Sequence, residues 1–504
     1  MPDDCVSVEN FMPKNQVITA VSVDELKSRS VHGAASYFLR TLFLQGIGMV
    51  SLLFLSSFLE PSEFGVYGLV TQIIGILVFF SDVGLAAVLI QKAQQPTIKD
   101  YRTAFTLQQI LSWLIVALSL LLIYSGVLDQ KIGVSGKWLL LSLALSFPLA
   151  TLKTIPSIIL ERELNFSKLV MPQIFEQIVF HLTVVVLAWQ GWGVIAYAYA
   201  VILRSLTGVV VMNIIQPWAI GLHLDIQSVV SLARFGIKFQ LNDFLARIKD
   251  QLFYLAIGWY LPNREFGYIT WAKNWSMYPY QLTVQNIMTI TFPTFSRIQD
   301  NKELLRRAIE KTIFAVTLVI FPILFGMSLF IRPILEFIPA YAKWLPASLS
   351  FTLFCLSIVW SAISTPLTNT LNALGRIDTT LKLMVFWTVL TWVITPIAVI
   401  FWNYDGVAIA ALLISLTSGI SVILTKKYVQ FQFFDQVWRQ LLASTMMIGL
   451  GLLGLSFVNS LTQLFILIIL CGLLYVGLMF VLGKNKIYQE FLPIGRILMK
   501  KMLK

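Results

Sequence analysis

Apolar runs of about 20 residues, each long enough to cross roughly 30 Å of hydrocarbon, follow one another along nearly the whole chain, with short polar stretches between them. Fourteen such spans can be marked, near residues 33–59, 64–90, 103–125, 138–160, 170–189, 194–216, 232–260, 266–293, 312–331, 344–374, 383–402, 406–425, 440–458 and 461–482. Several exceed the minimum length, which predicts tilted or bent helices. Pro148, Pro156, Pro279, Pro322, Pro366 and Pro396 fall inside spans. Each removes a backbone donor there and bends its helix unless neighbours compensate. The pattern predicts an all-α polytopic membrane protein with 14 transmembrane helices.

Composition agrees with the pattern. Of 504 residues 57% are hydrophobic and 12% charged, and the mean hydropathy is +0.79, whereas a soluble domain carries about 25% charged residues. The first 30 residues are polar and lack a basic n-region or a small-residue cleavage site, so Met1 is expected to begin the mature chain. The net charge of +12 is mostly topological: with the N-terminus inside, 25 of the 37 Lys and Arg residues fall in cytoplasmic segments and five in outer loops. An even number of spans then puts both termini in the cytoplasm, and the charge does not form a nucleic-acid patch. Cys5, Cys355 and Cys471, with His32, His181 and His223, have no ligand or pairing spacing, so no metal, disulfide or cofactor is expected.

The chain is doubled. Phe58-Leu59-Glu60-Pro61-Ser62-Glu63-Phe64-Gly65-Val66-Tyr67, after the first span, recurs as Trp259-Tyr260-Leu261-Pro262-Asn263-Arg264-Glu265-Phe266-Gly267-Tyr268 after the seventh. Gly193-Val194 and Gly406-Val407 open the sixth and twelfth spans. Six spans separate the copies, which predicts two parallel repeats about an axis along the membrane normal. The expected division is a cytoplasmic tail over 1–32, an N-lobe over 33–216, a linker over 217–231, a C-lobe over 232–428, two accessory spans within 429–482, and a basic tail over 483–504.

Charge inside the spans carries the functional signal. A charged side chain at a helix centre is disfavoured by roughly 2.5–3.5 kcal/mol even on the lenient insertion scale, so such groups should face a wet cavity, and a cavity inside the membrane implies transport. The seventh span is the strongest case, with Lys238, Asp243, Arg247, Lys249 and Asp250. At about 100° per residue Asp243, Arg247 and Asp250 share one stripe. The stripe reads either as a self-neutralising ion-pair ladder or as a base that switches partners. Arg40, Lys153 and Arg204 lie in the first, fourth and sixth spans, with Asp82, Glu176 and His181 as companions, and Lys273 lies in the eighth. Arg247 ranks first among the candidate binding residues, followed by Arg40 and Arg204, then Lys153 and Lys273. Snorkelling near a helix end is the other reading of Arg40, Lys238 and Lys249, and helix capping that of Asp82. Glu176 or His181 could couple transport to a proton gradient.

Phe79-Phe80-Ser81-Asp82-Val83-Gly84-Leu85-Ala86-Ala87-Val88-Leu89-Ile90-Gln91, the Glu-Phe-Gly turn of the first hairpin, and Pro156 with Glu161-Arg162-Glu163-Leu164-Asn165-Phe166 resemble the Wzx-type polysaccharide flippases. These belong to the multidrug, oligosaccharidyl-lipid and polysaccharide exporter superfamily. The resemblance covers residues 30 to 482. It implies two six-helix lobes around a central cavity and outward movement of an oligosaccharide carried on polyprenyl pyrophosphate, in a bacterial inner membrane, for surface polysaccharide biosynthesis. Arg forks and Lys point charges suit such a phosphate headgroup.

Other classes fit less well. A gradient-driven drug or cation antiporter of the same superfamily should show an acidic cavity, yet in the spans bases outnumber acids. A membrane glycosyltransferase or polymerase should show a large loop or an acidic catalytic motif, so no enzyme activity is expected, although polymerase machinery is an expected partner beside the lipid-linked oligosaccharide and the bilayer. A peptidoglycan-precursor flippase would tend to show an Arg-Asp pair in its first span. Lys131-Ile132-Gly133-Val134-Ser135-Gly136-Lys137-Trp138 fails as a P-loop, having Lys in place of the first glycine and Trp after the lysine. Arg297 to Lys311 reads as an amphipathic cytoplasmic surface helix joining the eighth and ninth spans, and the tail from Lys484 to Lys504 as an amphipathic segment suited to an anionic inner leaflet.

Overall fold

The computed structural model describes residues 23–78, 85, 89–90, 95–163, 165–225 and 250–502, with side chains from Arg40 to Gly483 within those stretches. The chain divides into two compact units, one ending at Arg264 and the next beginning at Glu265, between the expected seventh and eighth spans.

The first unit contains α1 (Val23–Phe58), α2 (Pro61–Leu77), α3 (Ile98–Tyr124), α4 (Asp129–Arg162), α5 (Phe166–Trp189), α6 (Ile195–Ile215) and α7 at 250–260. Its helix starts are written locally. Thr97 and Asp100 form a reciprocal box at α3, in which Thr97 Oγ1 accepts the Asp100 N–H (3.2 Å) and Asp100 accepts the Thr97 N–H (2.7 Å). α2 opens with Pro61 at its first turn, and Glu63 accepts the Glu60 N–H at 2.7 Å. Within this unit α6 packs on α4 and α5, α3 and α2 pack on α4, and α1 packs on α5. Close packing of α6 follows from its buried small residues Ala196, Ala198, Ala200 and Gly208, since apolar lipid supplies no hydrophobic drive between helices and backbones must approach closely to gain contact.

The second unit runs through α8 (Asn263–Tyr280), which begins just before the border, a π turn (Gln281–Gln285), α9 (Asn286–Arg297) and α10 (Lys302–Phe337). A 3-10 stretch (Pro339–Ala347) leads into α11 (Ser348–Ala373), followed by α12 (Ile377–Trp402), α13 (Asp405–Leu416), α14 (Gly419–Lys426), α15 (Phe433–Leu455) and α16 (Leu461–Met502). Helices α15 and α16 bury Met447, Leu464, Leu467, Cys471 and Tyr475 against Phe314 and Phe330 of α10. The Tyr475 hydroxyl donates to the Leu318 carbonyl at 2.8 Å, which satisfies a polar tip in an apolar setting.

Among the described residues there is no strand, and eleven helical segments are long and apolar enough to cross a membrane. Several boundaries differ from the sequence expectation for physical reasons. The helix of the fourth span begins earlier, at Asp129, and turns sharply at Gly133 (φ 59°), so the failed P-loop segment is helical on both sides of a kink. The eighth span is interrupted by the π turn after Pro279. The twelfth breaks between Leu416 and Gly419. The expected surface helix over 297–311 is not separate: Asn301 caps at Leu304 N (3.0 Å), and the helix then runs unbroken from Lys302 through the ninth span.

The two copies of the hairpin motif have the same local structure. In each, a helix ends with an N–H bond at 2.9 Å, Leu59 to Leu55 and Leu261 to Ile257, and a new helix starts two residues later, at Pro61 and Asn263. Leu59 and Leu261 are buried, as are Phe64 and Phe266. The two halves of the family-like motif also meet: Arg162 donates to the Leu89 carbonyl at 2.6 Å and the Ile90 carbonyl at 3.0 Å, beside a core of Leu85, Leu89, Phe105, Ile155 and Ile158.

Candidate functional site

Three of the charged residues singled out in the spans come together in the first unit. Glu176 on α5 is ion-paired to Lys153 on α4, and its other oxygen lies 3.8 Å from Nε of Arg204 on α6. The depths agree. Lys153 lies nine residues before the end of α4 at Arg162, Glu176 ten after the start of α5 at Phe166, and Arg204 eleven before the end of α6 at Ile215. At 1.5 Å per residue each is about 15 Å from its helix end, the middle of a core of roughly 30 Å.

The environment of the three is unequal. The Glu176 side chain is 6% exposed, against 25% for Lys153 and 39% for Arg204. A carboxylate so buried survives only with cations beside it, whereas the two bases remain open to a further partner. At 3.8 Å the Arg204 contact is an ion pair without a hydrogen bond. The guanidinium lies 5.6 Å from the centroid of Phe180, a cation–π distance that holds the planar head without using its donors. Phe180 in turn meets His181 edge-on (5.1 Å) and Tyr197 (6.5 Å), which stacks on Tyr67 at 4.0 Å.

The neighbours make room for this arrangement. Gly208 on α6 faces the Glu176 carboxylate so closely that a Cβ there would come nearer than 3.0 Å. On the side of α4 away from Lys153, Gln109 of α3 donates to Thr151 Oγ1 (2.6 Å) and to the Pro148 carbonyl (3.2 Å), and Thr151 donates to the same carbonyl at 2.8 Å. Phe180, Tyr197, Gly208 and Gln109 were not singled out by the sequence, because a glycine, an amide or an aromatic ring inside an apolar run carries no signal of its own.

Arg40 is half-buried on α1, which packs on α5. His181 is half-buried one residue beyond Phe180, and its Nδ1 is buried without a hydrogen-bond partner. Asp250 is exposed on α7, and Lys273 is half-buried on α8. Asp82, Lys238, Asp243, Arg247 and Lys249 lie outside the described residues. No group of three His, Cys, Asp or Glu side chains suited to a metal occurs among the described residues. Cys355 and Cys471 are buried free thiols.

Residues 54–349 match the family described as "Polysaccharide biosynthesis protein". The lipopolysaccharide biosynthesis protein WzxC of Escherichia coli (strain K12) is 24% identical over 373 residues, which is 72% of this chain and 74% of the relative. The succinoglycan biosynthesis transport protein ExoT of Rhizobium meliloti (strain 1021) is 22% identical over 289 residues, 57% of this chain and 58% of the relative. Among solved structures, the lipid II flippase MurJ in an inward closed conformation superposes with a TM-score of 0.72 at 14% identity, covering 89% of this chain and 99% of that one. An inward-facing multidrug resistance MATE family transporter of the MOP superfamily gives 0.59 at 13% identity, covering 77% and 95%. At these identities the structures speak for the fold, while the family match extends over more than half of the sequence. The chain belongs to the polysaccharide biosynthesis protein family, in keeping with its resemblance to the Wzx-type flippases of the MOP superfamily.

Proposed function

We propose that the protein is a flippase that carries a polyprenyl-pyrophosphate-linked oligosaccharide from the cytoplasmic to the outer leaflet by alternating access through a cationic cavity. In this reading it is an inner-membrane transporter and not an enzyme, with 14 transmembrane helices, two parallel six-helix repeats and an accessory pair, and both termini in the cytoplasm. The shared local structure of the two hairpin motifs supports the repeat. The single observation that carries the functional reading is the placement of Lys153 and Arg204 on one buried carboxylate, Glu176, at mid-membrane depth.

Two bases against one acid leave one positive charge where hydrocarbon makes any charge expensive. A membrane diphosphate supplies the missing negative charge. Arg204, whose ion pair to Glu176 involves Nε, offers its terminal fork to phosphate oxygens, and Lys153 adds a point charge. Glu176 then competes with the headgroup for both bases, which keeps binding reversible. Its protonation would release them, a route by which a proton gradient could drive the cycle. Arg247 of the seventh span is proposed as the cation of the second repeat, with Asp243 and Asp250 as its resting partners, and Arg40 as a further contact. An exporter of organic cations would want the opposite sign at this place.

The test is translocation of a fluorescent polyprenyl-pyrophosphate oligosaccharide in proteoliposomes. Arg204→Gln and Lys153→Gln should each slow it about 10- to 100-fold, the loss of one charge-assisted contact of about 1.5–3 kcal/mol. Rates equal to wild type in both variants would sink the proposal.

A further inference from the structure

The helix that opens the second unit carries a polar stripe that is unusual for a membrane segment. Most of α8 is buried, around nearly its whole circumference: Phe266, Gly267, Tyr268, Ile269, Trp271, Ala272, Trp275, Ser276 and Pro279. Trp271 stacks on Trp344 at 4.9 Å and 11°, and meets Phe351 at 5.9 Å. From Asn274 onward a polar stripe opens on the side of Trp271. Asn274 is exposed, and Lys273, Tyr278 and Gln281 are half-buried. At about 100° per residue Asn274, Tyr278 and Gln281 fall within roughly 60° of one another. Gln285, exposed at the end of the π turn, extends the line. Tyr280 fixes the turn from the packed side, its hydroxyl 2.8 Å from Thr365 Oγ1, and such turns in helices often mark functional places.

Such a face does not suit lipid, where amide groups have nothing to bond. This helix is also not among the eleven apolar segments. Its chemistry differs from that of the Glu176 cluster. Amides both donate and accept, which is what vicinal hydroxyls require, and an aromatic ring offers a flat apolar body with a polar tip to the C–H face of a pyranose. A phosphate would instead call for a cluster of cations, and the two bases of α8, Arg264 and Lys273, stand nine residues apart and not together.

We infer that the open face of α8, built on Asn274, Tyr278, Gln281 and Gln285, is the surface that contacts the sugar portion of the lipid-linked substrate. The inference rests on the flippase reading and assigns it a glycan-recognising wall separate from the headgroup cluster of the first unit. Sugar selectivity then resides in the amides, and the diphosphate is served elsewhere.

The experiment uses the full chain in proteoliposomes with two probes: the lipid-linked oligosaccharide that accumulates in the producing cell when this gene is deleted, and polyprenyl pyrophosphate without sugar. Asn274→Leu and Gln281→Leu remove both amides with residues of good helix propensity. Together they should slow movement of the glycan-bearing lipid about tenfold, the worth of two hydrogen bonds, and leave the sugar-free lipid unchanged. Equal slowing of both probes, or of neither, overturns the inference. A second arm keeps it separable from the flippase reading: the delipidated oligosaccharide is titrated onto detergent-solubilised wild type and double variant with saturation-transfer NMR. Signal from wild type that is lost in the variant supports a sugar surface even if reconstituted transport fails, and absence of signal from wild type overturns it.

Discussion

Gly208 and Glu176 share one space: the carboxylate occupies the volume that any side chain at position 208 would need. The glycine on α6 thus sets where the acid of α5 can stand, and through it where Lys153 and Arg204 are held. Gly208→Ala should displace the carboxylate and lower both thermal stability and translocation, although alanine is the better helix former by about 1 kcal/mol. Glu176→Asp draws the oxygens back and should relieve part of the defect in the double variant. A double-mutant cycle on purified protein in detergent is expected to show coupling of about 0.5–3 kcal/mol, and strict additivity would disprove the shared space.

Neutralising the acid separates its two roles. In Glu176→Gln the amide cannot balance Lys153 and Arg204, so both bases turn toward any available anion. Affinity for polyprenyl pyrophosphate should rise about tenfold, equivalent to roughly 1.4 kcal/mol, while release and hence turnover slow. Equilibrium binding and single-turnover translocation measure the two effects. Weaker binding in this variant would show that Glu176 organises the bases and does not compete with the substrate.

Run length and composition were enough to read a polytopic helical membrane protein, because exclusion of unpaired backbone from lipid leaves few alternatives. The same run lengths say nothing about how each helix is rotated about its axis. Lys153, Glu176 and Arg204 could therefore be named as companions without it being visible that they meet, and Gly208 could not be named at all. The breaks within helices were legible only in part. Pro279 signals a disturbance, but the π turn it precedes depends on packing partners such as Thr365. Pro322 and Pro366 lie inside unbroken helices. Arg162 stood within a family-like motif, while its partners Leu89 and Ile90 belong to another motif more than 70 residues away, and only the fold joins them.

Arg162 is expected to act through structure. Its guanidinium serves two neighbouring backbone carbonyls, those of Leu89 and Ile90, and buried carbonyls need donors. Arg162→Ala should destabilise the first unit by about 2–3 kcal/mol, the worth of charged hydrogen bonds. Arg162→Lys should recover less than half, because an ammonium cannot reach both carbonyls in the planar geometry of the fork. Thermal unfolding in detergent reports both values. Full recovery by lysine would reduce the role of this residue to charge alone.

Glycines elsewhere in the chain should respond with opposite signs, according to what stands opposite them. A Cβ at Gly65, in the first hairpin motif, would run into the main chain of Asn263 in the second. Asn263 is itself held there, donating through Nδ2 to the Lys131 carbonyl at 2.5 Å while Lys131 Nζ donates to the Leu261 carbonyl at 3.1 Å. Backbone pinned at both sides cannot step aside, so Gly65→Ala should cost about 1–3 kcal/mol as overpacking, and Lys131→Ala, by freeing the turn, should lessen that cost in combination. At Gly449 and Gly472 nothing lies within 4 Å of the added atom. There the gain in helix propensity acts alone, and alanine should be neutral or stabilising by up to about 1 kcal/mol. Unfolding midpoints of the four single variants and of the Gly65→Ala/Lys131→Ala pair decide the matter: destabilisation at Gly449 equal to that at Gly65 would mean that the loss comes from helix distortion in general and not from contact with Asn263.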